Sequence, residues 1–100
     1  MKNLDNNFQK YNELAELLKV IAHPVRLCII RGLLEKGKCN VSTMQHCLDI
    51  PQPTVSRHLQ KLKNCNIIKG ERNGLEINYK VCNEKVIKLI DLLFEEENDQ

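Results

Sequence analysis

One hundred residues, 42% of them hydrophobic and only 4% aromatic, are enough for one aliphatic core and too few for two domains. No run approaches the ~18 apolar residues of a membrane span, and Met1–Lys10 has no secretory-type apolar block, so a cytoplasmic location without membrane contact is expected. The formal charge of +2 decides nothing until it is divided along the chain.

Leu4, Phe8, Tyr11, Leu14, Ala15, Leu18 and Ile21 recur at three- and four-residue steps, which predicts an amphipathic helix α1 over 4–21. His23-Pro24 interrupts it. Proline suits the first turn of a new helix, where its missing N–H has no partner to lose. Helix α2 is therefore expected over about 24–35, with Leu27, Ile30, Leu33 and Leu34 inward and Gly37 as its C-terminal cap. His23 is read as satisfying backbone groups at that helix start. A short extended stretch, 38–41, follows. Ser42 and Thr43 are read as the N-caps of a brief helix α3 over about 42–48, carrying Met44, Cys47 and Leu48.

Asp49-Ile50-Pro51 forms a turn, and Pro53 opens a helix α4 that runs to about Cys65. Val55, His58 or Leu59, and Leu62 form its inward face. Gln52, Thr54, Ser56, Arg57, Gln60, Lys61 and Lys63 are left for solvent or a ligand. The hydrophobic period then changes from four to two. Ile67–Arg72 leads into Asn73-Gly74, a type I′ hairpin signal, and Leu75, Ile77, Tyr79 and Val81 alternate along the return strand. Asn83 caps a last helix α5, over about 83–97, whose apolar positions Val86, Ile87, Leu89, Ile90, Leu92, Leu93 and Phe94 nearly encircle it. A domain this small cannot bury that whole circumference, so a second copy is expected to cover part of it, with Ile90 and Leu93 read as partner-facing. Residues 95–100 read as an acidic tail.

Charge now separates. Residues 51–80 carry six Lys or Arg against Glu71 and Glu76, whereas residues 81–100 carry two Lys against six acids. The basic stretch suits a polyanion. A reading helix for DNA needs side chains at its N-terminal end that reach base edges, with phosphate contacts to fix its pose. Gln52 can pair with adenine and Arg57 with guanine or phosphate, while Thr54 and Ser56 can serve either role. Lys61 and Lys63 lie near where the DNA backbone would pass, and Arg72 stands by the hairpin tip, placed to enter a minor groove. Such a helix is by itself more often an ordinary solvated face. The hairpin and the local charge turn the reading towards DNA.

His23-Pro24-Val25-Arg26-Leu27, then Pro53-Thr54-Val55-Ser56-Arg57-His58-Leu59, then Gly74 and Tyr79 are similar to the ArsR/SmtB family of metal- and thiol-responsive repressors, over roughly residues 14–90. The resemblance implies a mainly helical, winged helix-turn-helix fold (α1-α2-α3-α4-β-β-α5) filling residues 1–100 as a single domain. It implies a homodimer paired through 1–22 and 83–97. It also implies a double-stranded operator DNA contacted through Gln52, Thr54, Ser56, Arg57, His58, Lys61 and Arg72, and an inducer that weakens the contact.

The sensor sites of such proteins do not transfer. A Cys-Val-Cys run would fall on Asn40 and Ser42, α5 has no His, and the α2 cysteine of persulfide sensors is replaced by Arg31. Of a cysteine pair on α4, Cys65 matches one member and Lys61 replaces the other. Five cysteines are nevertheless present, with no C-x-x-C and an odd total. In a reducing compartment they are expected as free thiols. Cys28 and Cys47 read as packed. Cys39, Cys65 and Cys82 fall at element ends and are the candidate thiol sensor, Cys65 first, for a soft metal ion, arsenite or an oxidising sulfur species. No resident cofactor is assigned, and no histidine is read as a metal ligand: His46 and Cys47, adjacent on a helix, point about 100° apart.

Two other readings stay open, a DNA-binding regulator with no small-molecule sensor and a protein-interaction module that has kept the fold. An enzyme is not expected, because the chain offers no Gly-rich phosphate loop, paired acids or Cys-His-Asx set.

Overall fold

In the computed structural model, residues 4–95 are described, with side chains from residue 8 onward. The elements run α1 (Leu4–Ile21), α2 (Pro24–Lys36), β1 (Cys39–Asn40), α3 (Val41–Leu48), α4 (Gln52–Asn64), β2 (Ile68–Asn73), β3 (Glu76–Val81) and α5 (Glu84–Leu93). The expected order of elements is present, while the acidic tail beyond Glu95 and the side chain of Leu4 lie outside the described residues.

Local chemistry explains the starts of α2 and α3. His23 is extended and its Nδ1 accepts from the Val25 N–H at 3.1 Å, while Gly37, at φ 88°, donates its N–H to the Leu33 carbonyl. For α3 the capping residue is Asn40, not Ser42 or Thr43. Asn40 ends β1 in an extended conformation, and its Oδ1 accepts from the Thr43 N–H at 2.8 Å. Ser42 and Thr43 therefore fall inside the first turn. Helix α4 begins at Gln52, one residue before Pro53, which still falls where N–H groups have no helical partner.

The hairpin differs from its expected turn. The register pairs Asn73 with Glu76, so the loop is Gly74-Leu75, and only Gly74 has a positive φ, at 70°. A type I′ turn over Asn73-Gly74 would need positive φ at both residues. Glycine at the first central position instead fits a type II′ pattern. Leu75 thus leaves the strand and stands fully exposed at the tip. The stretch at Cys39–Asn40 adds an edge to the hairpin, giving a three-stranded antiparallel sheet in the order β1-β3-β2. Gly70 lies across from Tyr79, and a Cβ there would come within 2.8 Å of Ile77 Cγ2 and 3.1 Å of the Tyr79 ring, so the close approach of these two side chains needs a residue without one beneath them.

One core joins the helices to the base of the hairpin, centred on Ile30, Val55, Leu62, Ile67 and Val86, all completely buried. Ile90 belongs to it, at 2% exposure, which corrects its reading as a partner-facing residue. Two other apolar sets are left outside. On α1, Phe8, Tyr11 and Leu18 are about half exposed while Leu17, Val20 and Ile21 turn inward. On α5, Leu92 and Leu93 are exposed. The Cα radius of gyration is 15.2 Å, against about 13 Å for a compact domain of one hundred residues.

Asn83 holds the start of α5 by accepting from both the Lys85 and Val86 N–H groups. Replacing it with Ala is expected to destabilise the fold by about 1 kcal/mol, read as a lower urea midpoint at unchanged slope. A midpoint equal to that of the unaltered protein would show that the cap contributes nothing.

A candidate nucleic-acid interface

The rotation of α4 about its axis is set by Val55, Leu59 and Leu62, which at seven-residue span form one buried stripe against the core. Everything on the opposite side must face out. Gln52, Ser56, Arg57 and Lys61 are exposed, as is Arg72 on β2, and Thr54 is half-buried. Arg57 Nη2 donates to Thr54 Oγ1 at 3.3 Å, so the guanidinium lies back along the first turn of the helix.

His58 does not join this face. It is half-buried where α4 meets α2, its ring centroid 4.7 Å from that of His23. Arg26 Nη1 donates to its Nδ1 at 3.4 Å, while Arg26 Nε is tied to the Val20 carbonyl at 2.6 Å. Since a guanidinium can only donate, the contact requires an unprotonated Nδ1 on His58. Burial, and then the positive charges of His23, Arg26, Arg57 and Lys61, hold the His58 pKa below its ordinary 6.5.

Three of the basic residues between 51 and 80 are brought together more closely than the chain order suggests. Lys63, Lys69 and Arg72 line one open cleft between the end of α4 and the hairpin, walled by Ile77 and Tyr79. The two acids within residues 51–80 are engaged elsewhere: Glu71 pairs with Lys80 at 3.7 Å, and Glu76 accepts from Asn40 Nδ2 at 2.6 Å. A second broad cleft runs along the polar edge of α3, past Ser42, Thr43, Gln45 and His46, to Pro51 at the head of α4. Neither Lys69 nor this edge was singled out by the sequence, since nothing in a strand or a short mixed helix distinguishes a residue beside the reading helix from any other exposed one.

The cysteines regroup. All five are free thiols. Cys28 and Cys47, expected as packed, are exposed, whereas Cys39 and Cys65 are only partly so; Cys82 is exposed as expected. Cys65 and Cys82 flank Asn66, whose carbonyl accepts from Cys82 Sγ at 3.6 Å. Cys39 is not with them: it pairs with Tyr79, three residues and so roughly 10 Å along β3 from Cys82. Among the described residues no group of three or more His, Cys, Asp or Glu side chains is arranged to hold a metal ion, and no helix is long and apolar enough to cross a membrane.

With that geometry in place, the relatives are informative. A helix-turn-helix domain model matches residues 21–70. The chain is 46% identical over 79 residues to the transcriptional repressor PagR of Bacillus anthracis, covering 79% of each chain. It is 35% identical to the biofilm growth-associated repressor of Xylella fastidiosa, over 86% of this chain and 75% of that protein. The crystal structure of PagR superposes with a TM-score of 0.78 over 86% of this chain. The homodimeric winged helix-turn-helix DNA-binding domain of a possible ArsR-family regulator from Mycobacterium bovis reaches 0.83 over 95%, at 24% identity, a likeness of fold.

The histidine contact predicts a pH dependence. The unfolded chain binds a proton at His58 more readily than the folded chain, so stability is undiminished above the ordinary pKa of 6.5 and falls as pH drops below it. His58→Gln is expected to shrink the loss in urea midpoint between about pH 7.5 and about pH 5.5. An identical loss in the variant would remove His58 as its source.

Proposed function

Because the chain belongs to the ArsR/SmtB family of winged helix-turn-helix repressors, we propose that it represses transcription by docking α4 into the major groove of an operator as one half of a homodimer. The observation that carries this reading is the outward face of α4, fixed in place by the buried stripe on its other side and continued by the basic cleft of Lys63, Lys69 and Arg72. Gln52 and Arg57 read base edges, with Thr54 and Ser56 beside them. Lys61, Lys63, Lys69 and Arg72 hold phosphates, and the α3 edge at Ser42, Thr43 and Gln45 follows the DNA backbone, as the first helix of such a motif does. His58 positions the helix from behind and does not touch DNA itself.

The second protomer covers the two apolar sets left outside the core, Phe8, Tyr11 and Leu18 on α1 and Leu92 and Leu93 on α5. Two-fold pairing through these helices would set the two α4 helices about 34 Å apart, the spacing of successive major grooves on one face of DNA. The inducer is a thiol-reactive species. A soft metal ion wants two or three converging thiolates; no group of three or more ligating side chains is assembled among the described residues of one chain, so a three-thiolate ion would need ligands from both protomers.

Gln52→Ala and Arg57→Ala are each expected to weaken specific binding by about 1–3 kcal/mol, whereas Lys61→Ala should weaken all duplexes alike and lower the salt slope by about one. Titration of operator and scrambled duplexes at several salt concentrations separates these effects. A triple variant with unaltered operator affinity would overturn the assignment of α4.

For the dimer, Leu92→Glu with Leu93→Glu is expected to give a folded monomer, seen by sedimentation velocity together with an unchanged helical circular dichroism signal, since Ile90 keeps its place in the core. A double variant that still sediments as a dimer would place the interface elsewhere.

A further inference from the structure

Three of the five cysteines meet at one place. Cys28 on α2, Cys39 on β1 and Cys47 on α3 line a cavity of about 120 Å³ between those elements. Its floor is apolar: Ile29, Leu33 and Met44 are each at most 6% exposed. Gly32 forms part of the wall, and a Cβ built on it would meet nothing within 4 Å. Lys36 sits at the rim, its Nζ 4.0 Å from Cys47 Sγ. The thiols border this slot without converging into a chelate. What they surround is greasy space of roughly the size of one six-membered ring, since an apolar cavity of about 150 Å³ accepts benzene.

We propose that this slot takes a small, uncharged, apolar electrophile of the α,β-unsaturated carbonyl class, and that Cys47 captures it. Cys47 Sγ forms a bond to the β-carbon, and the alkene π pair moves through the carbonyl to its oxygen as an enolate. The proton given up by the thiol is replaced by one taken up at the α-carbon. The product is a thioether and a saturated carbonyl, with nothing oxidised or reduced. The Lys36 ammonium, next to the sulfur, is placed to donate a hydrogen bond to the enolate oxygen.

The location gives the capture a consequence. Helix α3 is one wall of the slot and packs against α4, so an adduct held there changes how α3 sits beside the reading helix. This consequence rests on the operator-binding reading above, whereas the capture does not.

The test treats the full chain with 2-cyclohexen-1-one and follows each cysteine by mass spectrometry of its peptide. Cys47 is expected to be labelled about ten times faster than Cys82, which is exposed but outside the slot. Gly32→Leu, which adds a bulky apolar side chain at the wall of the slot and leaves every thiol in place, should bring the Cys47 rate down to that of Cys82 while iodoacetamide labels Cys47 as before. Equal rates at Cys47 and Cys82 in the unaltered protein would overturn the proposal without recourse to any variant. So would a folded Gly32→Leu protein that still labels selectively. In a second arm, treated protein should lose operator affinity by about tenfold and treated Cys47→Ala should keep it. Selective labelling with unchanged affinity would overturn the regulatory consequence. Failure of untreated protein to bind an operator would instead refute the repressor reading, leaving the labelling result to stand by itself.

Discussion

The burial of Val55, Leu59 and Leu62 is the constraint from which the rest of the molecule follows. Each is at most 2% exposed, and burying a side chain of this kind is worth about 1.5–3 kcal/mol. Turning α4 by one residue would exchange them for Ser56, Gln60 and Lys63. That loss exceeds the gain from any one base contact, about 1–3 kcal/mol. The core therefore decides where Gln52 and Arg57 point, before any ligand arrives. The same stripe anchors the hairpin, because Ile67 and Ile68 continue the core directly from the end of α4, while the rest of β2 is exposed. The hairpin is held at its base and projects from there, which is how Arg72 comes to share a cleft with Lys63.

Most of this was legible in the sequence, for a physical reason. Helical and strand periods, Pro24 at a helix start, Gly37 at a helix end and Asn83 at an N-cap are local signals, and local backbone chemistry fixed each of them. Misreadings arose where two local solutions compete. Asn40, Ser42 and Thr43 can all cap a helix. Only the extended strand ending at Asn40, fixed by pairing with Asn78 on β3, selects among them. Asn73-Gly74 and Gly74-Leu75 are both two-residue loops, and the choice lies in the cross-strand register.

Facing is harder to read than form. A helix apolar around nearly its whole circumference, such as α5, does not say which side belongs to its own core. Ile90 and Leu93 are equally greasy, yet one is buried and the other exposed. The same holds for α1, where the apolar series that marks the helix contains both inward Ile21 and outward Tyr11. Thiols are the extreme case. Cys28, Cys39 and Cys47 lie on three different elements, and no spacing along the chain foretells that they share one cavity.

Gly32 carries the last step. A glycine inside a helix costs about 1 kcal/mol relative to alanine, and no neighbour forbids a Cβ at this position. Close packing therefore does not explain the residue, unlike Gly70 under the Tyr79 ring, or Gly37 and Gly74 with their positive φ. Gly32 lines the slot together with Cys28 and Cys47 and adds no side chain to it. The slot lies between α2 and α3 and is lined by none of Val55, Leu59 and Leu62, the stripe that orients α4 on the core. The molecule thus separates two mechanical tasks. The reading helix is held by side chains with nowhere else to go, and the element beside it rests against a place that can be filled.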